Sequence, residues 1–229
     1  RGTGTALVTP FKNGKVDYDS FRRFLRFQLD GGVEALIVLG TTGESPCVKD
    51  SERKELIRIA IEESGGKVPV IVGTGTNSTQ KTRELSSRVF DDGADGVLVV
   101  TPYYNKPTQE GLYRHYGELA TRVGGPIIIY NVPGRTGVNM LPETVLRCAE
   151  FDNIVGIKEA SGNQYQVDYL ISNVRARGLA LKIWSGNDDQ AFHRCCSGGD
   201  GVISVLSNVA PADTVAMIKA VLAGDLEKA

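Results

Sequence analysis

Eight short apolar runs, rich in β-branched residues, recur along the chain and are separated by amphipathic segments. The runs cover residues 3–8, 35–39, 68–72, 96–100, 126–130, 154–158, 181–184 and 201–205. Their nearly continuous apolar character is typical of parallel strands that are covered on both faces. Eight strands, each followed by a helix, predict an α/β fold of the (β/α)8 TIM-barrel type, with residues 1–229 forming a single barrel domain.

The segments between the runs carry helix signals. Residues 52–63 show a helical spacing of apolar side chains and stop before Gly65, a residue type that commonly ends helices. Pro142 and Pro211 stand where a first helical turn should begin. The last helix is predicted to end near Gly224.

A doubly wound open sheet is the competing fold. Such a sheet would carry a dinucleotide or phosphate loop at its switch point. Gly73-x-Gly75 lacks the third glycine of that fingerprint, and no Gly-Lys-Ser or Gly-Lys-Thr occurs in the chain. The pattern therefore favours the barrel.

The composition of the chain excludes several classes of function. A net charge of −1 gives no electrostatic reason to bind nucleic acid or an acidic membrane. No apolar stretch approaches the roughly 20 residues that cross a bilayer, and no signal peptide is visible. The four cysteines lack C-x-x-C spacing, so we expect free thiols in a reducing cytoplasm, and two histidines are too few for a His-rich metal site. Because the chain opens at Arg1 without methionine, we expect residues to be missing at its front.

Two neighbouring runs end in side chains that can handle protons, Tyr130 and Lys158. In a barrel, strand ends and the loops after them share one face. Burial disfavours the charged amine and makes the lysine a nucleophile for ketones. A pKa near 10.4 leaves about one amine in 2,500 neutral at pH 7, whereas a pKa of roughly 7–8 leaves about 10–50%. This pair predicts a Schiff-base enzyme. The alternative is a lysine paired with a carboxylate, although Glu159, next on the strand, should point to the opposite side.

Polar residues follow other runs at the same predicted face. The turn Gly40-Thr41-Thr42-Gly43 offers two hydroxyls and exposed N–H groups, which suit a carboxylate; the alternative is an ordinary turn. Arg135 lies in a loop stiffened by glycine and proline and suits bidentate capture of a carboxylate; the alternative is a solvated charge. Tyr103 and Tyr104 are candidates for interface or core aromatics.

Five stretches carry a resemblance that spans nearly the whole chain. They are GTGTALVTPF (2–11), GTTGES (40–45), TPYYNKP (101–107), YNVPGRTG (130–137) and GIKEASG (156–162). In these motifs and in their order, the chain resembles the dihydrodipicolinate synthase family of pyruvate-dependent class I aldolases. The resemblance implies condensation of pyruvate with L-aspartate β-semialdehyde to 4-hydroxy-tetrahydrodipicolinate, in lysine and diaminopimelate biosynthesis.

The resemblance also implies roles for site residues. Lys158 forms an imine with pyruvate, whose carboxylate rests on Thr41 and Thr42, and Arg135 holds the carboxylate of the second substrate. Protons move through a hydroxyl relay that a neighbouring subunit completes, and further residues line the pocket. The relay is Thr41, Tyr130 and Tyr104, with Tyr104 from the neighbour, and the lining residues are Gly186 and the backbone of Ile203. No metal or organic cofactor is needed, since the imine is itself the electron sink.

Relatives on the same scaffold leave alternatives open. N-acetylneuraminate lyase and 2-keto-3-deoxy sugar acid aldolases share the lysine, the tyrosine and the G-x-x-G-E turn, but generally lack an arginine at the place of Arg135. An alternative of another class is a barrel that binds a keto acid without turnover. That alternative predicts a missing lysine or relay hydroxyl, and none is missing.

The chain departs from the family pattern in two places. Family members usually continue into a helical C-terminal extension, which is absent or not seen here, so both a homodimer and a homotetramer (a dimer of dimers) are compatible with the sequence. Three residues match the lysine-binding allosteric cleft of the family: Ser45, Asn77 and Tyr103. Lysine-inhibited members place a carboxylate where this chain has Lys81, and several place histidines where it has Asp50 and Arg53. We therefore expect weak or absent feedback by L-lysine.

Overall fold

The eight strands close into one parallel barrel. The computed structural model describes residues 1–229. The strands are β1 (Gly2–Ala6), β2 (Ala35–Val38), β3 (Val70–Gly73), β4 (Gly96–Val100), β5 (Ile127–Asn131), β6 (Ile154–Glu159), β7 (Lys182–Ser185) and β8 (Gly201–Ser204). Each strand pairs in parallel with the next, and β1 pairs with β8 to complete the circle. The predicted barrel is confirmed, and every predicted strand end lies within two residues of the observed one.

A helix follows every strand. The helices are α1 (Tyr18–Asp30), α2 (Asp50–Ser64), α3 (Thr79–Asp91), α4 (Gln109–Arg122), α5 (Pro142–Cys148), α6 (Gln164–Ala176), α7 (Asp188–Ser197) and α8 (Pro211–Ala223). A short helix, Pro133–Thr136, precedes α5, and single 3₁₀ turns occupy Ser45–Cys47 and Leu206–Asn208. A small hairpin pairs Phe11–Lys12 with Lys15–Val16. No helix has the combination of length and apolar character that a membrane span requires.

Local signals explain where the helices begin and end. The side chains of Asp17 and Thr108 accept hydrogen bonds from backbone N–H groups in the first turns of α1 and α4. Such caps each stabilise a helix by about 1 kcal/mol. Pro142 and Pro211 occupy the first turns of α5 and α8, as predicted. Gly65 ends α2 in the left-handed conformation, with φ of 53°.

The core has two layers, separated by the barrel wall. The larger layer lies between the strands and the surrounding helices and holds two clusters, of 38 and of five buried residues. The smaller layer fills the barrel interior and contains eight buried residues: Ala6, Ile37, Ile71, Leu98, Ile128, Tyr130, Val132 and Ile203. Because side chains alternate along a strand, Ile127 and Ile129 face the helices, while Ile128 and Tyr130 face inward. The same alternation sends Lys158 inward and Glu159 outward on β6.

Candidate active site

Lys158 lies near the carboxyl end of β6, buried inside the barrel, with only 4% of its surface exposed. It is the register partner of Tyr130 on β5, and its Nζ lies 4.5 Å from the centroid of the Tyr130 ring. Burial lowers the pKa of Lys158 to about 8; the charge of Asp188 opposes this decrease, and that of Arg135 adds to it. About one amine in ten is therefore neutral at pH 7.

Glu159 takes no part in this arrangement. Its carboxylate accepts hydrogen bonds from Asn131 Nδ2 at 2.9 Å, Gln166 Nε2 at 3.1 Å and the Ser161 N–H at 2.6 Å. All three donors lie on the outer side of the barrel wall or in the loop after β6. The alternative in which Glu159 pairs with Lys158 is therefore wrong.

Gly186 makes room for the lysine stem. A Cβ atom built on this glycine would lie 3.1 Å from Lys158 Cε and 2.7 Å from Ala160 Cβ. The contact with Ala160 requires a shift at Ala160 or Gly186, and the contact with Lys158 would displace the reactive side chain by a few tenths of an ångström. Gly186 follows β7, and its N–H donates to the Glu159 carbonyl at 2.8 Å. The loop after β7 is thereby held against the end of β6.

A cavity of about 380 Å³ opens over Lys158. Its lining includes six of the residues that the sequence singled out: Thr41, Thr42, Tyr130, Arg135, Lys158 and Gly186. They come from the loop after β2 and from the ends of β5, β6 and β7. Chain segments more than a hundred residues apart thus meet at the carboxyl end of the barrel, where the fold predicts an active site.

The polar groups around the cavity differ in their exposure. Burial raises the pKa of the Tyr130 phenol, and hydrogen bonding with the Thr41 side chain and the charge of Arg135 oppose this rise. Thr41 and Thr42 lie in a tight turn, in which the N–H of Glu44 donates to the Thr41 carbonyl at 3.1 Å. Arg135 lies on the short helix Pro133–Thr136 and is exposed at the cavity mouth. The arrangement combines an amine, a phenol, two hydroxyls and a cation, which can bind a small keto acid and exchange protons with it.

Two predicted site residues lie elsewhere within the single chain. Tyr104 is 88% exposed, has a positive φ of 72°, and does not line the Lys158 cavity. Ile203 faces the barrel interior from β8 and lines an apolar cavity of about 200 Å³ at the opposite, amino end of the barrel. The side chain of Ile203 therefore does not line the Lys158 cavity. The predicted role of its backbone remains a prediction.

A second cavity, of about 280 Å³, adjoins the first and shares Thr41, Tyr130 and Arg135 with it. Two of the three candidate allosteric residues, Ser45 and Tyr103, line it, whereas Asn77 does not.

The guanidinium of Arg53 projects into this second cavity. Its Nη2 donates to the Ser45 carbonyl at 2.5 Å and to the Ser45 hydroxyl at 2.8 Å. Burial lowers the pKa of Arg53, and the charges of Asp50 and Tyr103 oppose that decrease. Lys81 is exposed on α3. The expectation of weak lysine feedback remains a prediction, to be tested by turnover measured across a range of L-lysine concentrations.

The sequence reasoning missed two charged residues near the cavity. Asp188, the first residue of α7, lines the cavity. Arg194, on the same helix, is fully buried and donates to the Glu159 carbonyl and, at 3.3 Å, to the Ser185 hydroxyl. The only signal for Asp188 was its position just after a strand-end loop, and Arg194 had none, because a lone arginine in a helix is usually solvated. No group of three or more His, Cys, Asp or Glu side chains is placed to hold a metal ion.

The family model, the curated relatives and the solved structures that match this chain all belong to one family. The model of the dihydrodipicolinate synthetase family matches residues 1–229. The 4-hydroxy-tetrahydrodipicolinate synthase of Kosmotoga olearia is 66% identical over 229 residues, which cover 100% of this chain and 78% of the relative. The crystal structure of dihydrodipicolinate synthase from Thermotoga maritima is 56% identical, with a TM-score of 0.97, over 100% of this chain and 78% of that one.

A third similar protein was solved with a ligand. Dihydrodipicolinate synthase from Acinetobacter baumannii, complexed with pyruvate, is 40% identical with a TM-score of 0.95, and the match covers 99% of this chain and 77% of that one. Identities this high over the full chain leave the family in no doubt, and the resemblance found in the sequence is confirmed. The chain belongs to the dihydrodipicolinate synthetase family and is a class I aldolase-type lyase of lysine and diaminopimelate biosynthesis.

Proposed function

We propose that this enzyme condenses pyruvate with L-aspartate β-semialdehyde to 4-hydroxy-tetrahydrodipicolinate through a Schiff base on Lys158. The observation that carries the proposal is the buried Lys158 amine, with its pKa lowered to about 8, in a cavity that also holds the Tyr130 phenol and the Thr41-Thr42 turn. The pyruvate complex of the Acinetobacter baumannii relative supports pyruvate as the first substrate.

The first step joins pyruvate to the enzyme. The neutral Nζ of Lys158 attacks the keto carbon of pyruvate, and the resulting carbinolamine takes up a proton and loses water to leave an iminium cation. The pyruvate carboxylate rests against the N–H groups and hydroxyls of Thr41 and Thr42, which are suited to an anion. The iminium withdraws electrons and acidifies the methyl group, and loss of one methyl proton gives a neutral enamine.

The second step forms the carbon–carbon bond. The enamine carbon attacks the aldehyde carbon of the semialdehyde, and the aldehyde oxygen takes up a proton to become the 4-hydroxyl group. The amino group of the semialdehyde then attacks the iminium carbon and displaces the Lys158 amine, which closes the ring. One water leaves overall, and the lysine is regenerated.

The residues around Lys158 transfer the protons and bind the carboxylate of the semialdehyde. We assign the protons to a relay of Thr41, Tyr130 and Tyr104, and the carboxylate of the semialdehyde to Arg135 at the cavity mouth. Tyr104 lies outside the cavity of its own chain and is almost fully exposed, which fits its insertion into a neighbouring subunit of a homodimer or homotetramer. We place the enzyme in the cytoplasm, where its thiols stay reduced.

Borohydride trapping tests the chemistry. Reduction in the presence of pyruvate should add the reduced pyruvyl group to Lys158 and abolish activity, as measured by peptide mass spectrometry and a coupled assay. Labelling at another lysine, or none, would contradict the mechanism. Parallel assays with N-acetylneuraminate and 2-keto-3-deoxygluconate separate the proposed substrates from those of related lyases. Binding of pyruvate without turnover of any of these would identify a non-catalytic keto-acid-binding barrel.

A further inference from the structure

Asp188 carries a carboxylate whose two oxygens have different surroundings. Its Oδ2 accepts hydrogen bonds from the backbone N–H groups of Val205, at 2.9 Å, and Leu206, at 3.0 Å. Its Oδ1 is buried and has no hydrogen-bond partner. Both Asp188 and Val205 line the Lys158 cavity. A buried carboxylate oxygen without a protein partner is costly unless a positive charge offsets it, and Lys158 lines the same cavity.

The charged and titratable groups that face Lys158 come from three elements. Strand β5 contributes Tyr130, the short helix after it contributes Arg135, and α7 contributes Asp188 and Asp189. Tyr130 and Arg135 carry no negative charge at neutral pH. Asp189 is exposed, so solvent screens its carboxylate. Asp188, which is half-buried and has a buried Oδ1, is therefore the less exposed of the two anions that line the cavity.

The influence of Asp188 on the lysine acts through charge. Its carboxylate raises the pKa of Lys158, against the larger effect of burial. The amine and the carboxylate make no direct ion pair, so the attraction acts across the cavity. Any cation that replaces the ammonium group at Nζ feels the same attraction.

We propose that Asp188 is a positioning residue for the lyase reaction, which holds the β8 loop with Oδ2 and supplies the counter-charge of the iminium cation at Lys158. This inference rests on the proposed function. A neutral amine, a ketone and one proton give the iminium and one water, so a neutral site becomes a buried cation. The carboxylate of pyruvate offsets part of this charge, and Asp188 adds the anion that the protein itself supplies to a cation that is costly in the barrel interior. The enamine that follows is neutral and does not need the counter-charge.

Asp188→Asn separates the charge from the hydrogen bonds. The amide oxygen of asparagine still accepts from the Val205 and Leu206 N–H groups, while the negative charge is gone. The affinity for pyruvate, measured by borohydride trapping across pyruvate concentrations, should fall about tenfold at pH 9, where the free amine is neutral. At pH 6 it should be nearly unchanged, because the variant then destabilises the free ammonium and the iminium equally. At pH 9, where the amine is neutral, the thermal unfolding midpoint should stay close to the wild-type value.

Two further variants complete the experiment. Asp189→Asn removes a neighbouring but exposed charge, and its affinity for pyruvate should follow the wild-type pH profile. Asp188→Ala removes both the charge and the loop contacts; it should show the same tenfold loss at pH 9 together with a lower unfolding midpoint.

Three outcomes would overturn the inference. The first is a wild-type pH profile for Asp188→Asn while Lys158 still traps pyruvate, which leaves the proposed function standing. The second is a loss of affinity in Asp188→Ala alone, which would make Asp188 purely structural. The third is a wild-type enzyme that traps no pyruvate, which would overturn the proposed function as well.

Discussion

The two faces of strand β6 carry adjacent buried charges in opposite surroundings. On the outer face, the Glu159 carboxylate accepts hydrogen bonds from three donors, two in the layer between the strands and the helices and one in the loop after β6. On the inner face, the Lys158 amine has only the Tyr130 ring and a distant carboxylate to offset its burial. Hydrogen bonds offset the burial of the outer charge, whereas the poorly compensated inner charge has a shifted pKa and becomes reactive.

Lys158→Met should have the largest effect on activity and should stabilise the fold. Turnover should fall by a factor on the order of 10⁴–10⁶, because the covalent intermediate cannot form. Since burial lowers the Lys158 pKa from 10.5 to about 8, the wild type loses about 3 kcal/mol of stability when this lysine is charged at pH 7.

The sign of the pH dependence follows from the proton balance. Between pH 8 and 10.5 the unfolded chain holds the lysine proton and the folded protein does not, so the wild type gains stability as the pH rises. Denaturant unfolding should therefore show the advantage of the methionine variant shrinking over that range. An advantage that is the same at pH 7 and pH 10.5 would contradict the assignment of a lowered pKa.

Tyr130→Phe tests the other proton-handling group of the inner face. Loss of the phenol hydroxyl should slow turnover by about 10²–10⁴-fold, while the ring still packs in the barrel interior. Single-turnover kinetics with pyruvate and the unfolding midpoint should be measured together. A variant with wild-type turnover would show that the hydroxyl does not carry protons.

Glu159→Ala tests the outer face, and its effect should appear in stability. Removing the carboxylate leaves buried donors of Asn131 and Gln166 without this acceptor, which should lower the free energy of unfolding by about 2–4 kcal/mol. Glu159→Gln, which retains one acceptor oxygen, is the matched control and should lose less. An alanine variant that kept its stability but lost as much activity as Lys158→Met would contradict the assignment of stability to the outer face and of activity to the inner face.

Arg135→Ala should have the smallest effect of the four. Arg135 lies exposed at the rim, so its loss should raise the KM for the semialdehyde by about 10–100-fold, the equivalent of one charged hydrogen bond. Pyruvate trapping at Lys158 should remain. An unchanged KM for the semialdehyde would remove Arg135 from substrate binding.

Much of the site could be predicted because the fold is repetitive. Runs of β-branched residues revealed the strands, and the barrel rule placed the ends of β5 and β6 on one face without any knowledge of contacts. The inward direction of Lys158 and the outward direction of Glu159 followed from the two-residue period of a strand. Lys158 and Tyr130 were therefore found from strand-end position alone.

Other features depended on contacts that no local pattern encodes. One oxygen of Asp188 accepts hydrogen bonds from Val205 and Leu206 in the loop after β8, while the other has no partner within the chain. These partners lie 17 and 18 positions further along the chain. Arg194 reaches the Glu159 carbonyl from a helix whose sequence gives no sign of a fully buried arginine. Ile203 was correctly placed in β8, but its side chain lines the cavity at the amino end of the barrel rather than the one over Lys158.

The sequence by itself determined the barrel, its strand order and the family, since periodicity and short motifs are properties of neighbouring residues. Only the tertiary structure decided how the lysine is buried, which charges face it and how Gly186 makes space for its stem. Those properties come from segments distant along the chain that meet at the barrel mouth. The pKa of Lys158 depends on this folded arrangement, because the amine is desolvated and lies near the charges of distant residues only once the chain is folded.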